Sequence, residues 1–225
     1  IAAAVDEGYF VGPRLLFSGH ALSQTGGHAD MRSRGEDVDY FCPACAGRTG
    51  RVCDGDHEVR RAARDELRKG ATQIKIMVSG GVTSPLDRID STQFSIGEMR
   101  AAVEEAEAQG RYVMAHAYTA KSINRALSAG VRSIEHGNML DEATADAIVA
   151  HNAILIPTTV VFWAMAKDGP SVGIPTMYQE KVEVVREAAL RGLEIAHRRD
   201  VKMVFGSDLF GPMHRYQSLE FSIRR

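Results

Sequence analysis

The sequence alternates short apolar runs with helical stretches, and this alternation constrains the fold more than any other feature. The runs are rich in Ile, Val, Met and Leu, which is typical of strands buried on both faces. A strand followed by a helix, repeated, predicts βαβ units and a parallel α/β sheet. Periodicity alone leaves an open doubly wound sheet and a barrel as alternatives. The predicted strands are 14–18, 73–79, 112–117, 131–135, 153–159 and 202–206.

Several predicted helices have readable ends. A helix over 56–69 ends at Gly70, and Ser95 with Glu98 forms a capping box for a helix that runs to Gly110. Asp141 caps a helix that ends near residue 151. Further helices are predicted over 119–129, 176–199 and, at the end of the sequence, 218–223.

Size and charge narrow the function classes. The chain has 225 residues, 44% of them hydrophobic and 25% charged, which fits one globular domain over 1–225. A net charge of -2 argues against a nucleic-acid partner. No apolar run approaches the roughly 18–20 residues of a membrane span, so no membrane partner is expected. The sequence leaves open whether the protein forms a homo-oligomer.

The ends of the sequence suggest the middle of a longer protein. The first residue is Ile1 and not Met, and the last residues read as helix. The start has neither the basic region nor the cleavage site of a signal peptide.

The long irregular segment 23–54 is expected to lie over a site, because connections without a function are rarely that long.

The three cysteines, Cys42, Cys45 and Cys53, lie in one short stretch. With His57 they could form a small zinc knuckle, but the spacing is irregular and only one CxxC is present. The alternative is a solvent-facing loop with incidental thiols. An odd count in a chain of this length favours a reducing, cytoplasmic location.

Four predicted strands carry a side chain that is hard to bury, within the strand or directly after it. They are Lys75, His116, His136 and Asp208. The carboxyl ends of parallel strands carry the chemistry of α/β proteins. Each residue alone has a structural explanation, such as a hydrogen-bonded core histidine. Four together indicate a shared ligand, and a metal ion would satisfy all of them.

Short motifs follow one another in a set order along the chain. They are Thr-Gly-Gly-His at 25–28, Ile-Lys-Ile-Met at 74–77, Ser-Gly-Gly at 79–81, Gln-Phe-Ser at 93–95, Ala-His-Ala-Tyr at 115–118, Ile-Glu-His-Gly at 134–137, Pro-Thr at 157–158 and Gly-Ser-Asp at 206–208. This set resembles the amidohydrolase superfamily, and most closely its imidazolonepropionase-like prolidases and carboxypeptidases.

The resemblance implies a (β/α)₈ TIM-like barrel with two divalent metal ions, usually zinc. In that family the lysine is carboxylated by CO₂ and bridges the ions, so Lys75 would carry the carbamate. His116 and His136 would bind the more exposed ion, and Asp208 the more buried one. The family's His-x-His motif on the first strand is absent. Six predicted strands also leave a barrel two short, so we expect the first strands and the C-terminal part to be missing from this chain.

The same resemblance assigns chemistry to the site. Metal-activated hydroxide would attack an amide carbon, and Asp208 would accept its proton and deliver it to the leaving nitrogen. Tyr118 and His28 would contact the substrate, holding a carboxylate or carbonyl by hydrogen bonds. His214, in the loop after the last predicted strand, is a further substrate-binding candidate.

We therefore expect a metal-dependent hydrolase of a small amide. The first candidate substrates are a dipeptide of Xaa-Pro or Xaa-Arg type and an N-acyl amino acid. The Cys-rich stretch between Gly35 and Gly55 departs from ordinary dipeptidases and could reshape the pocket. A bulkier xenobiotic amide, urea or carbamate is therefore the first alternative. The second is a metal-free binding or assembly module.

Overall fold

The computed structural model describes residues 1–35, 50–84 and 86–225. Its strands form a six-stranded parallel sheet in the order β2-β1-β3-β4-β5-β6. The parallel α/β class predicted from the sequence is confirmed. The strands are β1 Ala21–Ser23, β2 Gly50–Val52, β3 Ile74–Met77, β4 Val113–Thr119, β5 Ser133–Met139 and β6 Ile154–Ile156.

Helices follow most of the strands. They are α1 Ala2–Asp6, α2 Gly55–Arg68, α3 Ile96–Glu107, α4 Ala120–Ser128, α5 Glu142–Ala150, α6 Thr159–Asp168, α7 Gln179–Arg198 and α8 Leu219–Ile223. The caps predicted at Ser95 and Asp141 are both present as side-chain hydrogen bonds to the first turn. Of the helices described, none combines the length and apolarity that crossing a membrane requires.

The prediction of a strand over 14–18 was wrong. The segment is largely exposed, and its backbone bonds outside the sheet, where the Phe17 carbonyl accepts from the Thr72 N–H at 2.8 Å. The first sheet strand is instead β1, whose Leu22 is fully buried. Strand β2 was missed because Gly-Arg-Val is not an apolar run.

The run 202–206 joins the sheet only by one bridge. Met203 pairs with Leu155 in parallel, through hydrogen bonds from the Leu155 N–H to the Lys202 carbonyl and from the Val204 N–H to the Leu155 carbonyl. The run 153–159 is a strand only as far as Ile156, because a helix begins at Thr159. Helices α1 and α6 were not predicted from the sequence, whereas each predicted helix is present in the expected order.

The two faces of the sheet differ in chemistry. Alternate strand residues point to opposite faces, and Ile76 belongs to the fully buried set packed under helices α2 and α3. The register pairs Lys75 with Met114 and Met77 with His116. Lys75 and His116 therefore share the other face, called the inner face below. The fold thus separates an apolar, helix-covered face from an inner face that carries ionisable groups.

Candidate active site

Four ring side chains form a cluster beside the carboxyl ends of β4 and β5. His116 and Tyr118 come from β4, His136 comes from β5, and His28 comes from the loop after β1. The His116 ring centre lies 4.2 Å from that of His28, 4.6 Å from Tyr118 and 4.8 Å from His136. We call these four residues the ring cluster. All four were singled out from the sequence.

His116 is buried and has one nitrogen anchored. Its Nε2 lies 2.9 Å from the Gly80 carbonyl, which can only accept, so Nε2 carries the proton. The other nitrogen, Nδ1, then keeps its electron pair. Burial pushes the pKa of His116 well below its usual value, and the nearby His28, His136 and Lys75 push it further. The ring is therefore neutral near pH 7, which is the form that binds metals.

His136 shows the complementary arrangement. Its Nδ1 lies 2.7 Å from the Thr158 hydroxyl, so Nε2 is the nitrogen left for a ligand when Nδ1 donates. Burial, assisted by Lys75, lowers the pKa of His136 well below its usual value. His136 and Thr158 both have positive φ, 74° and 47°. Such strain costs about 1–3 kcal/mol per residue and tends to occur at functional sites.

Lys75 lies on the inner face, one strand away from His116. Desolvation lowers the pKa of its amine, and the carboxylates of Glu135 and Asp208 oppose that shift. Glu135 is buried and accepts a hydrogen bond from Ser133 at 2.6 Å. A lysine with a lowered pKa has a larger neutral fraction, and the neutral amine is the form that reacts with CO₂.

Asp208 follows the bridge at Met203 and takes a left-handed conformation with φ 51°. The residue is exposed, although many protein atoms surround it at longer range. This crowding raises the pKa of Asp208 to about 6, with Lys75 opposing the shift and Glu135 adding to it. Asp208 in turn adds to the rise that burial causes in the pKa of Tyr118. The charge of Asp208 therefore acts on both Lys75 and Tyr118.

The side chains of His116, His136 and Lys75 suit a metal ion, although they do not form a complete set of ligands. Among the described residues, no three His, Cys, Asp or Glu side chains converge as a ready metal site. His116 and His136 each have one anchored and one free nitrogen, as metal-binding histidines do. Lys75 is close enough to shift the pKa of both rings. Carboxylation of Lys75 would add an anionic oxygen donor to the two histidines.

His28 enters the ring cluster from segment 23–54. Its Nδ1 lies 2.8 Å from the Ser84 hydroxyl, and its backbone N–H donates to Gln93 at 2.8 Å. Burial lowers the pKa of His28 to about 4, although Asp87 opposes that shift. Gly81 packs so closely that a Cβ there would overlap the imidazole. The sequence predicted His28 but not this supporting loop.

The structure does not bring His214 to the ring cluster. It is exposed, within the 3₁₀ turn Gly211–Tyr216, and no hydrogen bond or ring contact joins it to the cluster among the described residues. His20 is half-exposed and lies 3.4 Å from Glu66, while His57, His151 and His197 are exposed. Cys53 is buried and forms no disulfide within the part of the chain that the structure describes, and Cys42 and Cys45 lie outside that part.

Sequence reasoning did not assign a role to Thr158. The residue lies within the predicted run 153–159, two residues beyond the carboxyl end of β6, where its hydroxyl meets His136. The strand-end rule that selected the histidines could have selected Thr158 as well. Ser84 and Asp87 carry no such signal, because their positions depend on how the loop folds.

A parallel α/β sheet with this set of ionisable groups at the carboxyl ends of its strands is the layout expected from the resemblance to amidohydrolases. A model of the amidohydrolase family matches residues 1–221, and the chain belongs to that family.

Two solved structures and one curated protein place the chain within the family. A prolidase crystallised with N-methylphosphonate-L-proline is 51% identical, with a TM-score of 0.93 over 99% of this chain and 55% of its own. A Xaa-Pro dipeptidase with bound methionine is 31% identical, with a TM-score of 0.86 over 99% and 54%. Ochratoxinase from Aspergillus niger is 33% identical over 100% of this chain and 48% of its own length. The chain thus spans about half the length of its relatives, which are amidohydrolase barrels.

Proposed function

We propose that this chain supplies a major part of the site of a metal-dependent amidohydrolase that cleaves the C–N bond of a small amide. The observation that carries the proposal is the pairing of His116 with His136. Each is buried and neutral, and each has one nitrogen anchored and one free for a ligand. Lys75 lies beside both rings and has a lowered pKa, as carboxylation would require.

In this proposal two divalent ions, usually zinc, would be held by Lys75 as its carbamate together with His116, His136 and Asp208. When bound, the ions would polarise the substrate carbonyl and activate the attacking water. The His-x-His motif expected to complete the set does not occur in this chain.

Asp208 is assigned the proton transfers. Its carboxylate accepts the proton of the attacking water and returns it to the leaving nitrogen. Tyr118, buried between His116, His136 and Phe162, and His28 are assigned the contacts with the substrate.

The proposed substrate is a dipeptide, first of all of Xaa-Pro type, or an N-acyl amino acid. The support is the 51% and 31% identity to proteins named prolidase and Xaa-Pro dipeptidase. A different amide is the second candidate, favoured by the 33% identity to a protein named ochratoxinase.

A substrate panel tests the proposal. The purified full-length protein, supplied with zinc and bicarbonate, is assayed against Xaa-Pro and Xaa-Arg dipeptides, N-acyl amino acids, and aryl anilides and ureas. We expect the highest kcat/KM on a substrate with a free carboxylate. A clear preference for anilides or ureas would replace the dipeptidase assignment. No hydrolysis of any amide would contradict the enzyme itself and favour a binding module.

A further inference from the structure

The loop after β3 contains a buried polar pair that the site described above does not use. We propose that Ser84 and Asp87 are positioning residues that fix the ring orientation and the tautomer of His28. The inference rests on the proposed function, in which His28 contacts the substrate. It goes further by naming the residues that orient His28 toward that substrate.

The hydrogen bonds between these residues favour one tautomer of His28. The Ser84 hydroxyl contacts Asp87 Oδ1 and lies 3.3 Å from the Gly81 carbonyl; both of these oxygens can only accept, so the hydroxyl proton goes to one of them. The Ser84 oxygen is then free to accept from His28 Nδ1, 2.8 Å away. In the neutral ring the proton therefore sits on Nδ1. The lone pair is left on Nε2, which has no hydrogen-bond partner among the described residues.

The pair is itself held rigidly. Asp87 is buried, and its Oδ2 accepts from the Gly81 N–H at 3.1 Å and from Gln93 Nε2 at 3.0 Å. Gln93 also accepts from the His28 N–H, so it ties the backbone of His28 to the same carboxylate. Lys181, on α7, donates from Nζ to the carbonyls of Gly81, Ser84 and Asp87 at 2.7–3.3 Å.

These contacts fix both ends of His28, the backbone through Gln93 and the ring through Ser84. Buried polar groups that are fully hydrogen-bonded specify a single arrangement. With Nδ1 held by Ser84, Nε2 is the ring nitrogen left to meet the substrate.

Kinetics of loop variants provide the first test. We expect Ser84→Ala to raise KM by about tenfold, the effect of one lost hydrogen bond at a binding group, with a smaller change in kcat. Ser84→Thr keeps the hydroxyl and should recover most of the loss. Asp90→Asn is the matched control, because Asp90 lies in the same loop but is exposed and pairs with Arg88 on the surface.

A double-mutant cycle separates positioning from a general structural role. If Ser84 acts through His28, Ser84→Ala should add almost nothing to the KM of His28→Ala. Additive effects, or a lower kcat with KM unchanged, would overturn the proposal. Thermal unfolding of each variant checks that the fold is kept.

The tautomer is measured without any substrate. ¹⁵N-edited NMR of the histidine rings, with His28 assigned from His28→Ala, should show the proton on Nδ1 in the wild type. Loss of that preference is expected in Ser84→Ala and Asp87→Asn, but not in Asp90→Asn. A proton on Nε2 in the wild type, or no change in the variants, would overturn the proposal. Because this readout needs no activity, failure of the amidohydrolase proposal would leave it interpretable.

Discussion

The hydrogen bond that anchors one nitrogen of a histidine decides what the other nitrogen can do. His116 donates from Nε2 to a backbone carbonyl, and His136 places Nδ1 against a threonine hydroxyl. Burial keeps both rings neutral by lowering the pKa of each. The two residues therefore present opposite ring nitrogens, each with an available electron pair, to the same cluster.

The proton-transfer role of Asp208 is tested by Asp208→Asn. The amide has nearly the same shape but cannot accept the proton of water, so we expect turnover to fall at least about a hundredfold, the lower end of the usual range for a lost general base. Steady-state kinetics and metal content are measured together, and metal should stay bound. Near-wild-type turnover would remove Asp208 from the role. Asp56→Asn, at an exposed position, is the control.

The sequence was sufficient to predict which residues meet but not how they are oriented. Strand-end positions predicted that His116 and His136 would lie close together, and the structure brings their rings within 4.8 Å. The orienting partners of the two rings, the Gly80 carbonyl and the Thr158 hydroxyl, depend on left-handed or tightly packed turns. No periodicity encodes such turns, so these two hydrogen bonds could not be predicted, although the strand-end rule could have selected Thr158 itself.

At the level of elements, capping signals were better guides than apolar runs. Ser95 and Asp141 cap α3 and α5 as predicted. The run 14–18 is as apolar as a strand, but its backbone bonds to residue 72 outside the sheet. Conversely, β2 forms with little apolar content because it pairs with β1 at the edge of the sheet. Pairing depends on neighbours distant in sequence, which a local pattern does not contain.

The capping box of α3 gives a stability prediction. Ser95 Oγ accepts from the Glu98 N–H at 3.1 Å, and Glu98 accepts from the Ser95 N–H at 2.6 Å. We expect Ser95→Ala to lower the free energy of unfolding by about 1 kcal/mol. Urea denaturation measures the change, with Ser222→Ala, an exposed position in α8, as control. Equal stabilities would show that the cap contributes nothing.

The turn after β3 depends on close approach at Gly81. A Cβ there would overlap the His28 ring, so Gly81→Ala must displace either the loop or the histidine. We expect a several-fold higher KM and a lower melting temperature. Gly35→Ala is the matched control, since a Cβ at Gly35 has no heavy atom within 4 Å among the described residues. Identical kinetics for the two variants would contradict the placement of His28 beside the substrate.

At the scale of the whole molecule, the two faces of the sheet explain why chemistry collects where it does. The helix-covered face is apolar and buried. The inner face carries Lys75, His116 and Glu135, and its strand ends lead to the ring cluster. The chain belongs to the amidohydrolase family and spans about half the length of its relatives. The α/β class followed from the sequence pattern, whereas the barrel followed from resemblance, because six strands alone do not specify closure.

Metal content per chain tests the central claim most directly. Elemental mass spectrometry is applied to the full-length wild type, to Lys75→Ala and to Lys121→Ala, a control lysine exposed on α4. We expect about two zinc-like ions per wild-type and control chain, the number a carbamate-bridged site would hold, and a sharp loss in Lys75→Ala with the fold intact. A metal-free wild type in the presence of zinc and bicarbonate, or full metal content in Lys75→Ala, would contradict the account.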